Sequence, residues 1–174
     1  MRKVMVATPC MYGSLDVWYV NSLINTIKMA EERDIQIIPI WISFDALLQR
    51  ARNDQVHTAM MMNVDDIIWI DSDIEWEPKW FFDLLEYPVD VVGGTYRKKG
   101  DKEEYVYRKL NKTKPNELGL LSVHGLGTGF VKMSKKAYTH LWNVSKPYID
   151  TKDNQERRMI FDVEIRETNG IPGL

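Results

Sequence analysis

The stretch Ile67-Ile68-Trp69-Ile70-Asp71-Ser72-Asp73-Ile74 decides the predicted fold. Large apolar residues, β-branched and aromatic, run up to two aspartates, a pattern typical of a buried strand rather than a helix. Ligands bind at the carboxyl ends of strands in open α/β sheets, so Asp71 and Asp73 are expected at a ligand-binding edge. Two carboxylates there suit a hard divalent cation that also holds phosphate oxygens. The alternative is a strand that ends in an ordinary polar turn.

Strands and helices alternate on both sides of this stretch. The patterns predict strands at 3–8, 35–42, 67–70 and 90–96, and helices after a cap at Ser14 or Asp16, at 44–62 and at 80–86. Pro39 inside the second strand indicates an edge position or a bulge. The alternation is typical of a largely parallel sheet covered by helices.

The second part of the chain has a different pattern. It predicts short strands at 105–110, 118–123 and 127–133, followed by a helix that Ser134 caps. After Tyr148 the pattern indicates no particular element. This part is therefore expected to be smaller and mixed or antiparallel.

Composition narrows the class of protein. The chain has 174 residues and a formal charge of -2, which fits one domain and predicts no nucleic-acid partner. Cys10 is the single cysteine, which excludes an intrachain disulfide. The apolar run after Met1-Arg2-Lys3 is too short for a signal peptide, and no stretch reaches transmembrane length. We therefore expect a cytoplasmic protein with no transmembrane segment.

Several phosphate-binding and hydrolytic motifs are missing from the sequence. There is no Gly-x-x-x-x-Gly-Lys-Ser/Thr loop, no Gly-x-Gly-x-x-Gly after the first strand, and no Gly-x-Ser-x-Gly elbow. The glycines at 125, 127 and 129 precede a predicted strand, so they lack the helix N-terminus that makes a phosphate cradle. They form either a tight turn or a wall of a substrate site.

The three histidines fall in different contexts. His57 and His140 lie inside helical patterns and are interpreted as structural. His124 lies where a strand is predicted to end, so it could face the same cleft as Asp71 and Asp73. It is either a third metal ligand or a hydrogen-bonded loop histidine.

Five segments, taken in order, resemble the GT-A class of nucleotide-sugar-dependent glycosyltransferases, in particular its compact viral and bacterial members. They are Thr8-Pro9-Cys10, Arg52-Asn53, Ile70-Asp71-Ser72-Asp73-Ile74, Val92-Gly93-Gly94-Thr95-Tyr96 and the segment 124–130. The resemblance spans residues 4–133. It implies an α/β fold of the GT-A, Rossmann-like type: a three-layer sandwich with a mostly parallel central sheet and a smaller mixed or antiparallel C-terminal part. It also implies one domain over residues 1–174, with a nucleotide-binding half at 1–96 and an acceptor-side half at 97–174.

The resemblance implies a function as well. A sugar would move from a nucleoside-diphosphate sugar, a UDP- or GDP-sugar, to a hydroxyl of a glycan or another acceptor, with Mn²⁺ or Mg²⁺ on the diphosphate. The implied nucleotide and metal residues are Thr8, Pro9, Cys10, Tyr12, Arg52, Asp71, Ser72 and Asp73, with His124 as the possible third metal ligand. The implied sugar and acceptor residues are Gly94, Tyr96, His124, Gly127, Thr128 and Gly129.

The sequence departs from this family after the glycine-rich segment. An inverting enzyme needs a carboxylate as general base for the acceptor hydroxyl, and no recognisable acidic motif follows. The candidates are Asp150, Asp153, Asp162, Glu164 and Glu167, of which Asp162 is the preferred catalytic residue. The short chain without a closing motif also suggests the hypothesis of a fragment of a longer protein.

Other functions compete with glycosyl transfer. A sugar-phosphate nucleotidyltransferase should carry a basic, glycine-rich loop after the first strand, but residues 8–14 contain one glycine and no base. A phosphatase that uses Asp-x-Asp normally carries it after the first strand, whereas here it follows the third. A non-catalytic module that binds nucleotide-sugars remains open.

Overall fold

The computed structural model describes residues 1–97, 104–110, 112–163, 166–168 and 171–173. The helices are α1 (Val17–Glu31), α2 (Leu48–Met62), α3 (Pro78–Glu86) and α4 (Lys135–Val144). The strands are β1 (Arg2–Cys10), β2 (Ile35–Ser43), β3 (Asp66–Ile70), β4 (Val91–Gly93), β5 (Tyr107–Lys109), β6 (Val123–Leu126), β7 (Phe130–Ser134), β8 (Pro147–Asp150), β9 (Gln155–Arg158), β10 (Arg166–Thr168) and β11 (Ile171–Gly173).

The central sheet has the strand order β2-β1-β3-β7-β4. β1 pairs in parallel with β2 and β3, whereas β7 is antiparallel to both of its neighbours, β3 and β4. The α/β class is therefore confirmed, but the sheet is mixed and a mostly parallel sheet is not. The strand–helix alternation could not show this, because β7 comes from the second part of the chain and enters between two strands of the first part.

The same topology determines where a ligand can bind. β4 runs opposite to β7, which runs opposite to β3, so β1, β2, β3 and β4 all point the same way. Their carboxyl ends meet at one edge of the sheet. In α/β sheets this edge holds the ligand, because the loops that follow the strands converge there.

Helices cover both faces of the sheet. Along β1 and β3, Val4 and Ile68 pack on one face with side chains of α1 and α3, while Met5 and Ile67 pack on the other with side chains of α2 and α4. All five residues of β3 are buried. Burying an aliphatic side chain of this size contributes roughly 1.5–3 kcal/mol, so β3 is the strand around which the core is built.

Several predicted boundaries change in the structure. The strand expected at 118–123 is a turn, and the extended segment is β6, which pairs with β5. The helix expected from residue 44 begins at Leu48, because Phe44 adopts a left-handed backbone (φ 59°) and Asp45 accepts a hydrogen bond from the Leu47 amide.

β2 is an edge strand, as Pro39 predicts. The antiparallel hairpin β8–β9 follows α4, where the sequence indicated no element.

The helices of the described ranges are too short or too polar to cross a membrane. Glu164 lies outside the described residues, and the side chain of Glu167 does too.

Candidate functional site

The carboxyl end of β3 opens into a cleft of about 470 Å³, lined by residues that include Asp71, Asp73, Glu75, Tyr96 and Arg97. The Asp71 amide donates to the Gly129 carbonyl (2.9 Å), and the Asp71 carbonyl accepts from the Ile74 amide (3.1 Å). These bonds hold the turn after β3 against the turn before β7. The two aspartates therefore lie at the carboxyl end of a central strand, while their role in binding a ligand stays a prediction.

Arg52, on α2, reaches Asp71 at the edge of this cleft. Its side chain is only 7% exposed, and its Nη2 lies 3.2 Å from Asp71 Oδ1 and 3.4 Å from the Thr128 carbonyl. Burial lowers the pKa of Arg52 and the Asp71 charge opposes that shift, but a guanidinium stays charged at neutral pH. Its Nε is buried and makes no hydrogen bond within the described ranges. Beside Asp71 there is therefore a desolvated cation with an unused donor.

Glycines allow the turn before β7 to approach the cleft closely. A Cβ on Gly129 would lie 2.5 Å from Tyr96 Oη and 2.6 Å from Asp71 Oδ2, and one on Gly127 would lie 2.4 Å from Val106 Cγ1. The Gly129 amide donates to Tyr96 Oη (3.1 Å). A side chain at either position would displace its neighbours, so the glycine run packs tightly, while its role as a wall of a substrate site stays a prediction.

The charge of Asp71 affects the pKa of the Tyr96 hydroxyl. Burial raises the pKa of Tyr96, and the negative charge of Asp71 raises it further. The phenol therefore keeps its proton at neutral pH and can act as a hydrogen-bond donor.

Phe161 covers Arg52 from the C-terminal side. Its ring centre lies 5.9 Å from Arg52 Cζ and 5.3 Å from the Trp69 ring, edge to face. Asp162 is the next residue; it is exposed, and its Oδ1 accepts from the Val163 amide (2.7 Å). Asp162 therefore lies one residue from the ring that packs near Arg52.

The structure extends β1 to Cys10, so Thr8, Pro9 and Cys10 lie in the strand and not in the predicted nucleotide loop, and Thr8 and Cys10 turn inward. Thr8 is fully buried and its Oγ1 lies 2.6 Å from Tyr19 Oη. Cys10 is 2% exposed, and burial raises the pKa of its thiol. Pro9 is half-buried, whereas Tyr12 is 79% exposed. Of these four residues, Tyr12 presents its side chain to a ligand most fully.

Phe44 is a candidate that the sequence reasoning missed. It is 80% exposed at the carboxyl end of β2, and its left-handed backbone is costly for an aromatic residue. The amides of Phe44 and Gly13 both donate to the Cys10 carbonyl, and a Cβ on Gly13 would lie 2.5 Å from Phe44 Cζ. An aromatic residue directly after a strand of the ligand-binding edge was the available signal, but helical spacing assigned Phe44 to the next helix.

His124 lies in a different place from the one the sequence predicts. It is exposed on β6 and lines a second cavity, of about 860 Å³, with Thr95, Tyr105 and Tyr107 among the other lining residues. The structure does not bring it to Asp71 and Asp73. Within the described ranges no three His, Cys, Asp or Glu side chains are grouped so that they could hold a metal ion. Among the described residues, no third protein ligand is therefore grouped with Asp71 and Asp73.

Gly94 has a packing role. Its amide donates to the Phe130 carbonyl (2.9 Å), and a Cβ there would lie 2.5 Å from the Phe130 ring. Ser72 accepts, through its carbonyl, a hydrogen bond from the Asp16 amide (2.9 Å). Both residues stabilise the turns that form the cleft.

Comparison with known proteins identifies a shared fold but no family. No family model and no curated protein matches the sequence. In structure, the chain is similar to A197 from STIV, with a TM-score of 0.54 and 20% identity over 87% of this chain and 73% of that chain. It is also similar, with a TM-score of 0.41 and 10% identity, to a glycosyltransferase involved in the glycosylation of the major capsid of PBCV-1, over 80% of this chain and 63% of that chain. The first similarity shows a shared fold, and the second carries no argument about function.

Proposed function

We propose that this protein is a metal-dependent glycosyltransferase that moves a sugar from a nucleoside-diphosphate sugar to an acceptor hydroxyl. One observation carries the proposal: the buried Arg52, with its unused Nε donor, lies beside Asp71 at the edge where the parallel strands end. A desolvated guanidinium binds phosphate oxygens strongly. With Asp71 beside it and Asp73 in the same turn, it would form a site for a metal-bound diphosphate.

Asp71 and Asp73 would hold Mn²⁺ or Mg²⁺. Mg²⁺ is usually bound through one or two carboxylates, with substrate phosphates and water completing its shell. The cleft offers carboxylates for this donor set, because Asp71 and Asp73 both line it. The bound ion would offset the charge that develops on the departing diphosphate.

The chain's own residues act around that charge. Arg52 would bind a diphosphate oxygen through Nε, and the protonated Tyr96 would donate to another. Tyr12 and Phe44 would receive the nucleobase, because exposed aromatic rings at the ends of β1 and β2 are suited to stacking. The segments that follow β1 and β2 are joined through the Cys10 carbonyl, which accepts from the amides of Gly13 and Phe44.

The second cavity would receive the acceptor. The described residues that line it include three with aromatic rings and none of Asp, Glu, Lys or Arg, which suits a neutral glycan. In the transfer step the acceptor oxygen bonds to the anomeric carbon as the bond from that carbon to the diphosphate breaks. Asp162 would take the acceptor proton, the role of a general base in an inverting enzyme.

Calorimetric titration of Mn²⁺, UDP, UDP-glucose and GDP-mannose tests the proposal. We expect nucleotide binding that needs Mn²⁺ and is lost in the double variant Asp71→Asn/Asp73→Asn. The matched control is Glu117→Gln, at an exposed carboxylate outside the cleft. Equal binding with and without Mn²⁺, or full binding by the double variant, would exclude the roles given to the aspartates.

Turnover separates an enzyme from a binding module. Release of UDP from UDP-glucose, or of GDP from GDP-mannose, is expected with Mn²⁺ and with an added glycan mixture. Tight binding without release under all of these conditions would favour the non-catalytic module.

A further inference from the structure

We propose that Asn53 is a positioning residue: it fixes the segment 160–162 so that Phe161 shields Arg52 and Asp162 is held next to that ring. This inference rests on the proposed function only for its consequence for binding. The geometry that carries it is independent of any ligand.

Asn53 binds the distant backbone through its whole amide group. Its Oδ1 accepts from the amides of Ile160 (3.1 Å) and Phe161 (2.8 Å), and its Nδ2 donates to the Phe161 carbonyl (3.0 Å). These partners are 107 and 108 residues away along the chain, and Asn53 is 4% exposed. A buried amide that satisfies three backbone groups fixes the position of that backbone, because each unmade bond would leave a desolvated polar atom.

The fixed segment places Phe161 on the guanidinium. The ring stands edge to face on Trp69, which is itself held by a hydrogen bond from Nε1 to Gln55 Oε1 (3.0 Å). The Arg52 Cζ lies 5.9 Å from the centre of the same ring, within the distance of a cation–π contact. The ring excludes water from one side of Arg52, and a cation in a poorly solvated site attracts a phosphate more strongly.

Arg52 and Asn53 are adjacent on α2, so one turn of this helix supplies both the cation and the side chain that anchors Phe161 beside it. The hairpin β8–β9 is anchored separately. There Arg157 donates to Asp54 Oδ1 (3.0 Å) and to Asp153 Oδ2 (2.6 Å). Loosening that ion pair disturbs the same C-terminal region without touching the bonds of Asn53, which provides a matched control.

The first experiment needs no nucleotide. Phenylglyoxal labels accessible arginines, and mass spectrometry measures the labelling rate of the peptide that contains Arg52. We expect Asn53→Ala and Phe161→Ala each to raise that rate by about tenfold, since each uncovers the guanidinium. The wild-type chain and Asp153→Asn are expected to label slowly. Labelling of Asn53→Ala at the wild-type rate would overturn the proposal.

The second experiment is a double-mutant cycle on Mn²⁺–UDP affinity. We expect Asn53→Ala and Phe161→Ala each to weaken binding by about tenfold, and the double variant to bind no more weakly than either, because both act on the same contact. Fully additive losses, or unchanged affinity in Asn53→Ala, would contradict the positioning role. Thermal unfolding of every variant shows whether the fold is kept.

The two experiments separate two failures. If the wild-type chain binds no nucleotide while the labelling pattern is as expected, the proposed function fails and the positioning of Arg52 stands. If the wild-type chain binds Mn²⁺–UDP and Asn53→Ala labels and binds like the wild type, the positioning role fails and the proposed function stands.

Discussion

At the scale of single residues, Asp71 is closely surrounded by Arg52, Tyr96 and Gly129. Its Oδ1 lies 3.2 Å from Arg52 Nη2, and its amide is held by the Gly129 carbonyl. Its Oδ2 and Tyr96 Oη both approach the point where a Gly129 Cβ would be. A small change at any of these positions therefore displaces a carboxylate of the site.

Gly129→Ala is expected to weaken Mn²⁺–UDP binding at least about tenfold. The added methyl group would lie 2.5 Å from Tyr96 Oη and 2.6 Å from Asp71 Oδ2, so both side chains must move. Gly125→Ala is the control, because its Cβ would meet Arg108 Cβ at 3.4 Å, an ordinary contact. Calorimetry on both variants checks the expectation, and equal affinities would contradict it.

Phe44→Gly separates a binding role from a packing role. The exposed ring contributes little to the core, and glycine adopts the left-handed backbone of this position without strain. We therefore expect unchanged or higher stability in urea, but roughly tenfold weaker UDP binding, because stacking on a base contributes about 1–3 kcal/mol. Trp80→Ala, at an exposed ring on α3, is the control. Unchanged UDP affinity in Phe44→Gly would remove it from the site.

Tyr138 makes stability depend on alkaline pH. Burial raises the pKa of its hydroxyl to about 12, and the charges of Asp65 and Asp66 add to the shift. The unfolded chain has the ordinary value of about 10. Because the folded pKa is the higher one, the contribution is complete below pH 10 and is lost as the pH rises through 12.

The corresponding variant is Tyr138→Phe. It should be less stable by about 1 kcal/mol at neutral pH, since the hydrogen bond from the hydroxyl to the Val64 carbonyl is lost. Between pH 10 and pH 12 its free energy of unfolding should fall less than that of the wild type. Urea unfolding across this pH range measures both, with Tyr12→Phe as an exposed control. Parallel curves for wild type and variant would contradict the linkage.

At the scale of elements, the N-terminus of α1 supports the turn that carries the aspartates. The Asp16 carboxylate caps the helix by accepting from the Trp18 amide (2.8 Å), while its own amide donates to the Ser72 carbonyl (2.9 Å). Asp16 thus joins the N-terminus of α1 to the Asp71-Ser72-Asp73 turn. Its side chain caps the helix, and its backbone amide binds the turn.

Asp16→Ala tests how far these two contacts are independent. Loss of the cap should lower the free energy of unfolding by about 1 kcal/mol. The backbone bond to Ser72 remains, so Mn²⁺–UDP affinity should stay within about twofold. Asp16→Asn keeps a capping oxygen and should restore most of the stability. A large loss of affinity in Asp16→Ala would mean that the cap itself positions the turn.

At the scale of the whole molecule, the two predicted halves share one sheet. β7, from residues 130–134, lies between β3 and β4 of the first half. Lys132 of β7 is buried and donates to the carbonyls of Tyr87 (3.1 Å) and Val89 (2.6 Å) in the connection from α3 to β4. Residues 1–96 therefore depend on the second part of the chain for their strand pairing.

The fragment 1–96 is accordingly expected not to fold by itself. Without β7, one edge of β3 is unpaired and β4 has no neighbouring strand, so buried backbone groups and apolar side chains meet water. Circular dichroism during heating should show no cooperative transition for the fragment and a cooperative one for the full chain. A cooperative transition of the fragment would show that the first half folds as a unit.

The patterns of neighbouring residues were sufficient for much of the fold. The apolar run of β3, the spacing of α1 and the proline of β2 act through contacts that are local or repeat along one element. For the same reason the placement of Asp71 and Asp73 at a strand end, and of Arg52 on the next helix toward the N-terminus, could be predicted. The exposure of Phe44 could not be predicted, because its left-handed backbone interrupts the helical pattern from which the helix at 44–62 was predicted.

The sequence by itself determined the α/β class, the strand that organises the core and the two carboxylates at its end, since these follow from periodicity and from the direction of a strand. Only the tertiary structure decided the mixed sheet, the burial of Thr8 and Cys10, the second cavity at His124 and the cover that Asn53 holds over Arg52. Each of these depends on residues far apart in the chain, and such contacts are selected by the packing of the whole molecule rather than by any local pattern.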